Sequence, residues 1–184
     1  MVTLVFIMLT AEPVTKLNWR HHPNIENVRS VVAEVDAAMA AGKLVGRVRE
    51  CEFEKRTLRV DDRGVVRFYQ WDAGGEDSAD LVDYYYDPSG RLRFLHAKGG
   101  AVPNAARETR LWFDESGRRL WRLHTFHGEG MDFDPEEYPE FIVRDPRKHY
   151  AGKPIHYQGP DACTEGPLKD TPRVPPNAGS PESD

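Results

Sequence analysis

The stretch YYYDPSGRLRF, residues 84–94, contains every signal of a β-hairpin. Asp87, Pro88 and Gly90 occupy the first, second and fourth positions of a type I turn. Glycine at the fourth position tolerates the left-handed backbone that a three-residue hairpin loop with a bulge requires. Aromatic residues precede the turn and a basic, apolar strand follows it. The stretch therefore predicts two antiparallel strands joined by a tight turn.

Two further turns have the same form, DDRG at 61–64 and DESG at 114–117. The first aspartates of the three turns are separated by 26 and 27 residues. From Leu44 to about Phe126 the chain is rich in Val, Phe, Tyr, Trp and Thr, which favour strands. We therefore expect a threefold hairpin repeat within a meander of about six or seven strands.

The hairpins YYYDPSGRLRF and LWFDESGRRLW resemble the YD repeats of RHS-type proteins, whose unit has the form Y-x-Y-D-x-x-G-R-L. The matching residues of the first hairpin are Tyr84, Tyr86, Asp87, Gly90, Arg91 and Leu92. The resemblance implies the hairpin shape. It implies no activity, because three units cannot build the large shell that such repeats form.

Residues 23–43, PNIENVRSVVAEVDAAMAAGK, have the periodicity of an amphipathic helix. Its apolar positions are Ile25, Val28, Val31, Val32, Val35, Ala38 and Met39. Asn24 is the expected N-cap and Gly42 the expected C-terminal stop. The predicted fold class is α+β, with this N-terminal helix packed on one face of a curved antiparallel meander.

The turn chemistry also predicts a strand register. It places Asp87 opposite Arg91, and therefore Tyr86 opposite Leu92 and Tyr84 opposite Phe94. The same rule predicts the pairs Val60–Val66, Leu58–Phe68, Phe113–Arg119 and Leu111–Trp121. In this register the apolar residues share one face, which the helix should cover, and the opposite face is basic and aromatic.

This basic, aromatic face is the predicted ligand-binding surface. Its candidate site residues are Arg67, Tyr69, Tyr85, Arg93, Arg110 and Trp112. Guanidinium groups bind anions and aromatic rings provide stacking area, so a protein, peptide or glycan partner is expected. Two alternatives remain open: the side chains only stabilise the sheet through cross-strand pairs, or the acidic residues 127–150 cover them.

The distribution of charge and proline along the chain indicates the extent of the domain and the class of its partners. The net charge of −5 argues against a nucleic-acid partner. Residues 127–184 hold 12 acidic and 6 basic residues, and residues 151–184 hold seven of the 14 prolines. We predict one domain over residues 12–150 and a proline-rich, largely disordered tail over 151–184.

The N-terminus and the cysteines bear on localisation. Residues 1–11, MVTLVFIMLTA, are either a truncated secretory signal segment or an N-terminal strand, and no apolar run is long enough for a transmembrane helix. Cys51 and Cys163 could form a disulfide in an exported protein, whereas two separate thiols are expected in the cytoplasm. The preferred location is secreted or periplasmic, with a cytoplasmic alternative.

Motifs for catalysis are scarce. His124, His127 and Glu129 could bind a divalent metal, but their spacing matches no zinc signature. The sequence has no G-x-S-x-G motif and no glycine-rich phosphate loop after a strand, and no cofactor is expected. These features favour a non-catalytic, exported binding or inhibitory module. The alternatives are a small metal-dependent enzyme around His124 and His127, or a self-associating structural protein of the cell envelope.

Overall fold

A computed structural model describes residues 12–101, 105–128, 141–154 and 163–168. The predicted segment 1–11, residues 129–140 and most of the predicted tail lie outside these ranges. The described elements are a 3-10 turn Trp19–His21, α1 Pro23–Ala40, β1 Val45–Cys51, β2 Glu54–Val60, β3 Val66–Gly74, β4 Ser78–Tyr86, β5 Leu92–Ala101, β6 Ala105–Phe113, β7 Arg119–His127, α2 Pro146–Ala151 and β8 Thr164–Pro167.

The strands form one antiparallel sheet in the order β7-β6-β5-β4-β3-β2-β1-β8. Strands β1 to β7 are a meander, in which each strand pairs with its neighbours in sequence. The predicted α+β fold with an N-terminal helix is therefore confirmed. The eighth strand comes from the predicted tail and pairs with the outer edge of β1.

Helix α1 begins two residues earlier than the predicted N-cap, Asn24, would place it. The N-cap is His22, whose side chain accepts the backbone N–H of Asn24, and Pro23 occupies the first helical position. Proline suits that position because its missing N–H would have no helical partner. At the other end the helix stops before Gly42, which has a φ of 65°.

The three turns have the predicted conformation. Gly64, Gly90 and Gly117 have φ values of 78°, 79° and 81°, a backbone region that favours glycine. The pairs closest to the turns, including Tyr86–Leu92, are those predicted from the turn chemistry.

Beyond the first pair, each of these three hairpins contains a further β-bulge, which the prediction omitted in addition to the bulge expected at the turn glycine. The bulged residues are Arg67, Arg93 and Leu120, which stand at the same position relative to their turns. Each bulge shifts the register by one residue, so Tyr84 lies opposite Leu95 instead of Phe94. For the same reason Leu58 lies opposite Tyr69, and Leu111 lies opposite Arg122.

The register shift changes which side chains share a face. One row of directly opposed aromatic residues crosses five strands, and its members are Phe68, Tyr85, Phe94, Trp112 and Trp121. Successive ring centroids from Phe68 to Trp112 lie 5.2, 5.8 and 5.2 Å apart. This row lies under α1 and the 3-10 turn, where Trp19 stacks on Trp121 at 6.0 Å.

The opposite face of the sheet carries the larger apolar cluster. It includes Leu58, Tyr69, Trp71, Val82, Tyr84, Tyr86, Leu95, Leu111 and Phe113. Phe141, Ile142, Val143 and Tyr150, from the segment around α2, pack against it. The described sheet therefore buries apolar residues on both faces, and the prediction of one covered and one open face is wrong.

Candidate functional site

Four of the six predicted ligand-binding residues lie beneath α1. Tyr85 and Trp112 belong to the aromatic row and are 3% and 4% exposed. Arg67 and Arg93 are 6% and 4% exposed. These four side chains therefore do not lie on an open face, because α1 and the 3-10 turn cover the side of the sheet that carries them.

Arg67 and Arg93 attach α1 to the sheet with the same pair of hydrogen bonds. The Nε atom of Arg67 donates to the Tyr86 carbonyl at 3.1 Å, and its Nη2 atom donates to Glu34 at 2.9 Å. In the next hairpin, Arg93 Nε donates to the Phe113 carbonyl at 3.1 Å and Nη2 donates to Asn27 at 2.8 Å.

The spacing of these contacts explains how the helix lies on the sheet. The two helical partners are seven residues apart, which is about 10.5 Å along the helix axis. The two arginines are two strands apart, which is about 9.6 Å across the sheet. The distances agree, so α1 runs across the strands and both arginines stabilise that arrangement.

The other two predicted site residues have different surroundings. Tyr69 points to the opposite face, where its hydroxyl lies 2.7 Å from Nδ1 of His149. Arg110 forms two hydrogen bonds, of 3.1 and 2.8 Å, with Oε1 of Glu108. The structure therefore does not bring the six predicted residues together on one surface.

The weak metal candidates are also separated. His124 and His127 lie on β7, where Nδ1 of His124 is 2.6 Å from the hydroxyl oxygen of Thr109, and Glu129 lies outside the described residues. An odd spacing along a strand places the two imidazoles on opposite faces. Within the described ranges, no group of three or more His, Cys, Asp and Glu side chains could hold a metal ion.

A buried ion pair holds α2 against the sheet. Glu54 and Arg56 on β2 form the pair, and their side chains are 3% and 1% exposed. Arg56 also donates to the carbonyls of His149, Gly152 and Lys153 at the C-terminal end of α2. The positive charge is favourable at that end of a helix.

Two neighbouring contacts also involve the residues that hold α2 against the sheet. The indole N–H of Trp71 donates to Glu54 at 2.6 Å. Burial raises the pKa of Tyr69, so its hydroxyl keeps its proton and donates to His149. Burial, together with the Arg56 charge, lowers the pKa of His149 and favours the neutral imidazole. The surroundings of α2 are thus preorganised by buried polar contacts.

A cleft of about 730 Å³ lies between α2 and the β2-β1-β8 end of the sheet. We call it the arginine cleft, because Arg47 and Arg49 of β1 and Arg147 of α2 line it. Its apolar lining includes Val45, Leu58 and Val60, of which Val45 is 67% exposed. Cys163 and Glu165 contribute the wall formed by the segment that contains β8.

The contacts around the cleft fix its shape and leave it basic. Arg49 Nη1 donates to the carbonyls of Tyr150 and Gly152 at 3.1 and 3.2 Å. Among the described lining residues Glu165 is the one carboxylate, and it lies 3.8 Å from Arg47 and accepts the Tyr150 hydroxyl at 3.3 Å. Burial and this carboxylate raise the pKa of Tyr150 to about 12. Three permanent positive charges therefore face one negative charge.

The disulfide Cys51–Cys163 secures the β8 wall of the cleft. It joins the end of β1 to the residue that precedes β8. Beyond this bond and the β1 pairing, the Tyr150–Glu165 hydrogen bond also holds β8 in place. The wall of the cleft thus depends on a crosslink between residues far apart in the sequence.

The residues of the arginine cleft were missed because β1 precedes the first recognised turn. Arg47 and Arg49 are two residues apart in a predicted strand region, which places both side chains on one face. Residues 144–153, RDPRKHYAGK, form a basic run within the otherwise acidic C-terminal third. These two signals could have indicated basic surfaces, but only the fold shows that they meet.

Comparisons with models of known families, with curated proteins and with solved structures found no match to this chain. Among the described helices, none combines the length and apolar composition needed to cross a membrane.

Proposed function

We propose that this protein is a non-catalytic binding module of an oxidising compartment, and that it binds an acidic protein or peptide partner in the arginine cleft. The observation that carries the proposal is the convergence of three arginines and one carboxylate on an apolar lining. This local positive charge contrasts with the net charge of −5 for the chain.

The chemistry of the lining favours binding over proton transfer. Guanidinium groups stay protonated at all physiological pH values and donate hydrogen bonds in a planar fork that matches a carboxylate. The apolar lining can accept an aliphatic side chain beside that carboxylate. The ligand best suited to the cleft therefore combines a negative charge with a small apolar group.

The proposed compartment rests on the cysteines. The structure joins Cys51 and Cys163, and such bonds persist in secreted and periplasmic proteins but are rare in the cytosol. Because the bond secures one wall of the cleft, an oxidising environment also suits the proposed binding site.

Fluorescence anisotropy with a labelled Glu-Leu-Glu peptide tests the proposal at low salt. We expect saturable binding, and each of the changes Arg47→Gln and Arg147→Gln should weaken it by about fivefold, equivalent to about 1 kcal/mol. Lys55→Gln and Lys98→Gln are matched controls, because each removes one exposed positive charge from the opposite face.

The controls determine how the result is interpreted. Equal weakening in the cleft and control variants would show that the peptide responds only to overall charge, and the proposal would then be wrong. The same conclusion would follow if the peptide gave no saturable binding to the wild-type protein.

A further inference from the structure

A second basic cavity lies on the other side of α2 from the arginine cleft. It has a volume of about 390 Å³, and Arg144, Lys148 and Lys153 line it together with the apolar side chains of Ile142 and Val143. These three basic residues are exposed at the surface. The cavity therefore repeats the combination of positive charge and apolar surface found in the cleft.

The helical periodicity of α2 explains why it separates two basic surfaces. Residues three and four apart share a face of a helix. Arg147, Tyr150 and Ala151 consequently line the arginine cleft, whereas Lys148 and Gly152 line the second cavity. One short helix thus presents adjacent basic residues to both sides.

The carboxylates near the two cavities already have partners within the protein. Asp145 in the second cavity accepts the backbone N–H of Lys148 at 3.0 Å as the N-cap of α2. Glu165 in the cleft accepts the Tyr150 hydroxyl. Among the residues that the structure describes, the arginines and lysines that line the two cavities therefore outnumber the carboxylates that line them.

We infer that the arginine cleft and the second cavity form one bipartite surface that binds a single extended acidic segment of a partner protein. This inference rests on the proposed function of the cleft and extends it across α2. A helix is about 10 Å wide, and an extended chain rises about 3.3 Å per residue. The partner segment therefore carries two clusters of acidic and apolar residues separated by about three or four residues.

Both charge and shape favour a polypeptide over other polyanions. The net charge of −5 disfavours the approach of a densely charged polymer such as a nucleic acid. The apolar walls formed by Val45, Leu58, Ile142 and Val143 suit aliphatic side chains. Alternating acidic and apolar side chains match this arrangement on both sides of the helix.

Three labelled peptides and the full chain test the inference. The first is Glu-Leu-Glu, the second joins two such clusters through a Gly-Ser-Gly-Ser spacer, and the third has the composition of the second with its clusters adjacent. Linking two sites raises affinity when the spacer matches their separation. We expect the spaced peptide to bind at least about tenfold more tightly than either other peptide.

Variants assign that gain to the second cavity. Lys148→Gln combined with Lys153→Gln should remove the gain and leave the affinity for Glu-Leu-Glu unchanged. Lys55→Gln combined with Lys98→Gln makes the same change in net charge on the other sheet face and should preserve the gain. Circular dichroism before binding verifies that each variant is folded.

The outcomes separate the inference from the function on which it rests. If Glu-Leu-Glu binds in the cleft but the spaced peptide gains nothing, or keeps its gain in the Lys148 and Lys153 variant, the bipartite surface is wrong and the proposed function stands. If Glu-Leu-Glu does not bind, both are wrong. Tighter binding of heparin or poly-uridylate than of the spaced peptide would overturn the choice of a polypeptide.

Discussion

Removal of the Cys51–Cys163 disulfide should lower the stability of the protein by several kcal/mol. The two residues are separated by 112 positions in the sequence. The chain-entropy model assigns a crosslink that closes a loop of this length about 4.8 kcal/mol of stabilisation at 25 °C. The bond also secures β8, a strand of four residues that pairs, among the described strands, only with β1.

Urea denaturation of the oxidised protein and of the Cys51→Ser, Cys163→Ser double variant measures this contribution. The cost of about 4.8 kcal/mol corresponds to a decrease of about 2.4 M in the denaturation midpoint, for a slope of about 2 kcal/mol/M. In thermal unfolding the same cost lowers the melting temperature by about 10–20 °C. Mass spectrometry of the wild-type sample verifies that the bond is formed.

Hydrogen exchange of the same two samples locates the effect. Amides of β8 and of the facing edge of β1 should lose protection first in the double variant, because their pairing depends on the crosslink. A loss of stability below about 1 kcal/mol, with the disulfide intact in the wild type, would refute the loop-closure reasoning. Unchanged protection of β8 would refute its dependence on the bond.

Three further changes test other contacts. Arg93→Met should lower the free energy of unfolding, measured in urea, by about 2–4 kcal/mol, because the buried Phe113 carbonyl and Asn27 lose a charged donor. An equal loss for Arg91→Met, which changes an exposed arginine, would contradict this. Glu54→Gln should lower the free energy of unfolding by about 3–5 kcal/mol, because it leaves Arg56 buried without a counter-charge. A decrease below about 1 kcal/mol in calorimetric unfolding would show that the ion pair is not required for stability. Hydrogen bonds from the Ser89 hydroxyl and from backbone N–H groups outweigh the effect of burial and lower the pKa of Asp87 below 3.8. The stability that the ionised Asp87 carboxylate contributes is complete above pH 3.8 and is lost as the pH falls through the lower folded-state pKa. In urea denaturation, the free energy of unfolding of Asp87→Asn should therefore fall less steeply with acidic pH than that of the wild type. Parallel pH curves for the two proteins would exclude this role.

The predicted binding residues show why turn chemistry alone did not predict which side chains share a face of the sheet. Arg67 and Arg93 have the composition of an anion-binding surface, and in the structure they donate to the sheet backbone and to α1. A single bulged residue in each hairpin moves the following side chains to the other face. No local pattern in the sequence distinguishes the bulged register from the regular one, because apolar residues occur at both phases of the alternation.

Elements with local causes could be predicted from the amino-acid sequence. The turn DPSG specifies a hairpin through Asp, Pro and Gly at their required positions, and the spacing of Ile25, Val28 and Val35 specifies one buried side of a helix. The residues of the arginine cleft could not be predicted in this way, since Arg47, Arg147 and Glu165 come from three distant segments that meet through folding. Their convergence depends on the pairing of the bulged strands, on the hydrogen bonds of buried Arg56 to the end of α2 and on the Cys51–Cys163 disulfide. Each of these contacts joins residues that are far apart in the sequence.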